Sequence, residues 1–163
     1  MHSLPEILIT FEDRQRLSEL IAAELAAGRY EAVTFLANEI NRARTVPAAL
    51  VPPTCMTLNA YGRYLDERSG LVREGALVLP GQQRASLNMV SVLSDLGAAL
   101  LGLSVGQRMT WRCRFWGDRS IRLLEVLHQP TRARGPAPPD DEWDAVKDDG
   151  SAPDGCGATK PCG

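Results

Sequence analysis

The stretch Val90-Ser-Val-Leu-Ser-Asp-Leu-Gly-Ala-Ala-Leu-Leu-Gly-Leu-Ser-Val-Gly106 decides how this chain is read. A strand ends at its start, a helix of one to two turns runs to Leu101, and Gly102 stops it. Ser94 or Asp95 is a suitable N-cap, because either side-chain oxygen accepts one of the unpaired N–H groups of a first helical turn. Gly102 suits the left-handed residue that closes a helix end. Leu96, Leu100 and Leu103 return at helical spacing and share one face. The physical reading is a short helix pinned against a sheet.

Working outward, residues 108–116 and 119–127 read as two strands joined at Gly117-Asp118, a two-residue loop that suits a type II′ turn. In the first arm Trp111, Cys113 and Phe115 alternate with Thr110, Arg112 and Arg114, which predicts one buried and one wet face. Upstream, residues 54–58, 61–66, 74–79 and 86–92 are strand-like, with a turn at Pro80-Gly81. Before them, residues 47–53 form a linker whose three prolines remove backbone donors and leave the angle between its two flanks adjustable.

The N-terminal part is helical. Residues 7–9 are a short apolar lead-in, and Thr10 with Asp13 resembles a capping box that uses Asp in place of Glu. Leu17, Leu20, Ile21 and Leu25 then keep helical spacing to Ala27, and Gly28-Arg29 breaks the pattern. A second run from Tyr30 carries Val33, Leu36, Ile40 and Ala43. So short a loop makes the two helices pack antiparallel, as a short coiled-coil hairpin. The fold class is α+β: a helical hairpin over residues 1–46, the linker, and a sheet clasping one helix over residues 54–130.

Composition bounds the rest. The chain has 163 residues, 44% of them hydrophobic, and a formal net charge of −2. From Thr131 onward four basic face seven acidic side chains in a Pro-, Gly- and Asp-rich segment, expected to be a disordered acidic tail. No apolar run approaches the ~18 residues of a membrane span. The N-terminus lacks the basic start and apolar block of a signal peptide, and the four cysteines form no Cys-x-x-Cys pair. A cytoplasmic, reduced protein is expected. His2 and His128 have no partner at ligand spacing. Cys156 and Cys162, with five residues between them and no histidine near, read as exposed thiols. No nucleophile set, P-loop or dinucleotide fingerprint occurs. The residues predict no cofactor, no metal and no catalytic group.

Ser91, Leu96-Gly97, Ala99-Leu-Leu-Gly102 and Val105-Gly106 resemble the signature of the C-terminal domain of the GreA/GreB transcript-cleavage factors. The resemblance extends over residues 7–130 and is strongest to the Rnk-type branch, named as regulators of nucleoside diphosphate kinase. It implies an FKBP-like domain, a curved antiparallel sheet around a short helix, that docks on the rim of the RNA polymerase secondary channel. The loop at the start of the short helix makes that contact in the Gre family, which corresponds here to Ser91, Ser94, Asp95 and Leu96. Asp95 stands where the family usually has proline; it can cap the helix or offer a carboxylate to a basic partner.

In the Gre factors acidic residues at the hairpin tip help to hold a catalytic magnesium ion, which needs hard oxygen ligands. The tip here runs from Glu24 through Gly28, Arg29 and Tyr30 to Glu31, with Arg29 where a second carboxylate would be useful. Glu31 is explained as an anion at a positive helix end. The resemblance therefore implies a polymerase-binding regulator that competes with Gre factors without cutting RNA. Two alternatives stand beside it: an interaction protein acting on nucleotide metabolism through nucleoside diphosphate kinase, and an active cleavage factor. Prolyl isomerase activity needs an aromatic-lined pocket that 6% aromatic residues scarcely supply. The arginines of the last hairpin (Arg108, Arg112, Arg114, Arg119, Arg122), with Trp116, invite a nucleic-acid reading. In a chain with only two lysines, however, arginine fills ordinary surface positions, and no sequence-specific nucleic-acid binding is expected.

Overall fold

The 3.6-residue periodicity of the N-terminal part produces two helices, closed at the foot by a pair of strands. In a computed structural model that describes residues 3–82, 88–113 and 115–130, β1 (Leu8–Thr10) leads directly into α1 (Phe11–Ala26). The chain returns through α2 (Tyr30–Arg42) to β2 (Arg44–Val46). β1 and β2 pair in parallel, Leu8 opposite Arg44 and Thr10 opposite Val46, so the helical hairpin is the crossover between them. Thr10 Oγ1 accepts the Asp13 N–H at 2.9 Å and caps α1. The reciprocal half of a capping box is not what Asp13 makes; its Oδ2 accepts the Leu58 N–H at 3.3 Å. Burial pushes the Asp13 carboxyl above its ordinary range, partly offset by that bond. Arg14 crosses to the other helix, its Nη1 donating to the Ile40 carbonyl at 3.2 Å and to Thr45 Oγ1 at 3.0 Å.

The second half is a five-stranded sheet in the order β5-β4-β3-β7-β6, with β3 at Tyr61–Asp66, β4 at Leu71–Val78, β5 at Met89–Ser91, β6 at Arg108–Cys113 and β7 at Gly117–His128. All pairs are antiparallel except β4 with β5. The β3–β7 register shifts twice, between Tyr61 and Gly62 and between Arg63 and Tyr64. Such bulges bend and twist a strand, which curls the sheet. The remaining helix, α3 (Asp95–Leu100), fills the curl and packs on α2, β4, β5 and β6. Ala98, Ala99, Leu100 and Leu101 are all essentially inaccessible.

One core serves both halves. Ile7 and Ile9 of the N-terminal strand region, Leu17 of α1, and Leu36 and Ile40 of α2 share a cluster with Leu58, Tyr64, Leu77, Leu100, Ile121 and Leu123. Each such side chain contributes about 1.5–3 kcal/mol by leaving water. Residues 47–53 are accordingly not a slack tether, contrary to the expectation of an adjustable angle. A 3-10 turn (Ala48–Leu50) precedes Val51, which packs with Val46, Cys55 and Leu8. The prolines leave acceptors to satisfy, and Gln129 Nε2 meets two carbonyls, Pro52 at 2.9 Å and Cys55 at 2.8 Å.

Other expectations shift locally. Residues 54–58 form no strand, although 55–58 are buried; they make a single bridge, Cys55 with Ser104, and exchange bonds with the loop after α3 (Met56 N–H to Leu103 O and Gly102 N–H to Met56 O, both 2.8 Å). β4 begins three residues earlier than expected, at Leu71. β6 stops at Cys113, which pairs with Gly117, so Phe115 and Trp116 sit in the turn and Phe115 leaves the buried face assigned to it. Gly117, at φ +71, opens β7 and is not the first residue of a two-residue loop. The expected acidic tail, with Cys156 and Cys162, lies outside the described residues, as does His2. No helix among the described residues is long and apolar enough to cross a membrane.

Candidate functional site

The start of α3 is built by the hydroxyls of Ser91 and Ser94 and the backbone around them. Ser91 closes β5, its Oγ accepting the Leu93 N–H at 3.2 Å and its carbonyl accepting the Ser94 N–H at 3.0 Å. Ser94 uses its hydroxyl twice, donating to the Ser91 carbonyl at 2.7 Å and accepting the Gly97 N–H at 3.0 Å. Ser94 is therefore the N-cap, which settles the choice between it and Asp95. Asp95 is released from capping. It occupies the first helical position, exposed, with no ion pair or hydrogen bond within the described residues. Leu96 turns inward and packs partly buried on the core. The four residues form one rigid corner that presents a single free carboxylate.

Two glycines hold that corner in place. A Cβ on Gly97 would stand 1.9 Å from the Ser91 carbonyl oxygen, so the helix lies directly on the backbone it has just left. Gly102 has φ +72, and a Cβ there would stand 2.7 Å from the Leu8 carbonyl oxygen. Its own carbonyl accepts the Leu8 N–H at 3.1 Å, tying the N-terminal strand to the end of α3. These contacts explain why the stretch that decides the fold carries glycine at both positions.

At the far end of the hairpin, α1 closes with paired bonds from the Gly28 N–H to the Leu25 carbonyl (3.0 Å) and from the Arg29 N–H to the Glu24 carbonyl (2.9 Å). With Gly28 at φ +76 this is a Schellman closure. The same turn brings the Arg29 side chain back over Glu24. Nη2 donates to Oε1 at 2.8 Å and Nε bonds the other carboxylate oxygen, a bidentate pair. That pair holds the Glu24 carboxyl below its usual range and raises the arginine. A depressed carboxylate stabilises the tip above the ordinary carboxylate pKa, and the contribution fades as pH falls through the folded value. Arg29→Ala is expected to move the Glu24 carboxyl titration upward toward its ordinary midpoint, read by NMR pH titration of the side-chain carboxyl carbon; an unmoved midpoint would refute the pairing. Tyr30 is exposed and Glu31 stands in the first turn of α2.

The arginines of the last hairpin do not share one face. Arg119 lies opposite Trp111 in the ladder, its guanidinium 5.9 Å from the indole centroid and 3.1 Å from Asp66, on the inner side. Arg108 and Arg122 lie opposite each other and both reach Glu67. Arg114 lies outside the described residues. Cys55 is buried, its thiol pushed up to about 11 by loss of solvent, and Cys113 is half-buried. Among the described residues no three His, Cys, Asp or Glu side chains gather as a metal site.

Comparison with known proteins places this architecture. The family described as Rnk N-terminus matches residues 5–46. The chain is 31% identical over 131 residues to the regulator of nucleoside diphosphate kinase of Escherichia coli strain K12, spanning 80% of this chain and 96% of that protein. The Shigella flexneri regulator of the same name matches to the same extent. Among solved structures, a prokaryotic transcription elongation factor GreA/GreB from Nitrosomonas europaea is similar with a TM-score of 0.58 and 32% identity, covering 76% of this chain and 99% of that one.

Proposed function

Since the chain belongs to the Rnk family, the regulators of nucleoside diphosphate kinase, and shares its architecture with a GreA/GreB factor, we propose that it regulates transcription by docking on RNA polymerase at the rim of the secondary channel. The observation that carries this reading is Asp95: an exposed carboxylate without a partner among the described residues, on a corner held by Ser91, Ser94 and Gly97. A charge fixed in place without internal compensation is suited to a basic surface, since it loses no partner on binding. The hairpin then lies in the channel mouth and excludes Gre factors by overlap. Occupying a shared surface requires binding and volume alone.

The tip supports a regulator that does not cut RNA. Holding a magnesium ion takes carboxylate oxygens free to coordinate, and both oxygens of Glu24 are engaged by Arg29. The test is competition: a labelled Gre factor bound to core RNA polymerase, titrated with this protein. Saturable displacement without shortening of nascent RNA in a stalled complex is the expected result. Failure of the folded protein to displace the label would overturn rim docking, and shortened RNA would overturn the non-cleaving reading. The name borne by the Escherichia coli and Shigella relatives favours a second reading, action on nucleotide metabolism through nucleoside diphosphate kinase. Co-purification with that kinase and not with polymerase would favour it.

A further inference from the structure

The turn between β6 and β7 carries two adjacent aromatic side chains that the core does not take: Phe115 is 82% and Trp116 65% exposed. Trp116 is nevertheless positioned. Arg68, in the turn between β3 and β4, donates from Nη1 to the Trp116 carbonyl at 3.0 Å and sets its guanidinium 6.0 Å from the indole centroid. The two turns meet at one end of the sheet, where the Glu67 N–H also donates to the Ser120 carbonyl at 3.0 Å. This end is on the β6 side, across the sheet from β5 and the α3 corner.

Charge at this end is in basic excess. Asp66 is already met by Arg119, and Glu67 by Arg108 and Arg122 together. Arg68 has no carboxylate partner among the described residues. Arg112 faces Asp118 at 3.6 Å with both side chains largely in solvent, a pairing that screens little and contributes little. An exposed indole with the Arg68 guanidinium fixed beside it, and Arg112 only loosely paired in solvent on the same hairpin, is the arrangement on which unpaired bases stack while phosphates are neutralised. An acidic polypeptide meets the arginines equally well but has no use for the open ring faces.

We propose that the β6–β7 knuckle binds single-stranded nucleic acid without sequence preference, the bases stacking on Trp116 and Phe115 and the phosphates meeting Arg68 and Arg112. The test is fluorescence anisotropy of a short labelled oligouridylate with the full chain, at low and high salt. Affinity is expected to fall with salt, and Trp116→Ala, in an exposed turn, is expected to weaken it about tenfold. Arg68→Gln is expected to weaken it and flatten the salt dependence. A peptide of residues 139–149, with six acidic side chains, is the charge control. Absence of binding at low salt, an unchanged Trp116→Ala affinity, or equally tight binding of the acidic peptide would each overturn the proposal.

Discussion

Gly97→Ala is expected to abolish the cooperative unfolding transition, or to lower its midpoint by more than any other single-methyl change in the chain. The added Cβ would stand 1.9 Å from the Ser91 carbonyl oxygen and 2.6 Å from its carbon. Both are backbone atoms, so no rotamer change relieves the clash. Either α3 lifts off β5 or the corner at Ser91 breaks. Lifting α3 opens the packing of Ala98, Leu100 and Leu101, at the centre of the shared core. Overpacking costs about 1–3 kcal/mol, and more where the neighbour cannot move aside, against a total stability of ~5–15 kcal/mol for a domain of this size. Gly106→Ala is the internal control. Its backbone is left-handed, at φ +87, as that of helical Gly97 is not, but nothing lies within 4 Å of the new methyl, so its cost is confined to the backbone, about 1–2 kcal/mol. Urea denaturation of both variants checks the claim. Equal midpoints would mean that α3 does not rest on the Ser91 backbone.

The second large effect is on binding. Asp95→Arg is expected to leave the fold intact and to reduce affinity for RNA polymerase about 30-fold, roughly 2 kcal/mol, as a basic side chain replaces the carboxylate facing a basic partner. The fold survives because Ser94, and not Asp95, caps α3. What is lost internally is one anion in the first turn, worth about 0.3–1 kcal/mol. Asp95→Asn, which removes the charge without reversing it, should fall between the two. Circular dichroism establishes folding and the competition titration reads the affinity. A folded Asp95→Arg variant that displaces the Gre factor as well as the parent would remove Asp95 from the contact.

Much of this molecule follows from local rules. The spacing of Leu17, Val33, Leu36 and Ile40, the cap at Thr10 and the break at Gly28 mark the two helices, because helix faces and helix ends are set by residues within a few positions of each other. The same holds for α3 between Ser94 and Gly102, and for β3, whose alternation is complete within six residues. Where local rules failed, a distant partner decided. Residues 54–58 have the composition of a strand, but the backbone they meet is the loop of residues 102–105 after α3, which makes a single bridge with them, so no ladder extends. The alternation through Trp111 and Cys113 continues in the sequence to Phe115, while the turn into Gly117 ends the strand first. The prolines of 47–53 point to slack, and Val51 buried under Leu8 removes it.

The site divides in the same way. From the amino-acid sequence alone came the family resemblance, the corner at Ser91, Ser94, Asp95 and Leu96, and the oddity of an arginine at the hairpin tip. Only the tertiary structure showed that Ser94 takes the cap and leaves Asp95 free, and that Arg29 folds back to engage both oxygens of Glu24. It alone showed that Trp116 stands outside the core beside Arg68. The physical reason is one of range. Helix and turn propensities act over a few residues and are written along the chain. The pairing of a charge, the exposure of a ring and the space for a Cβ depend on which remote backbone folding brings alongside.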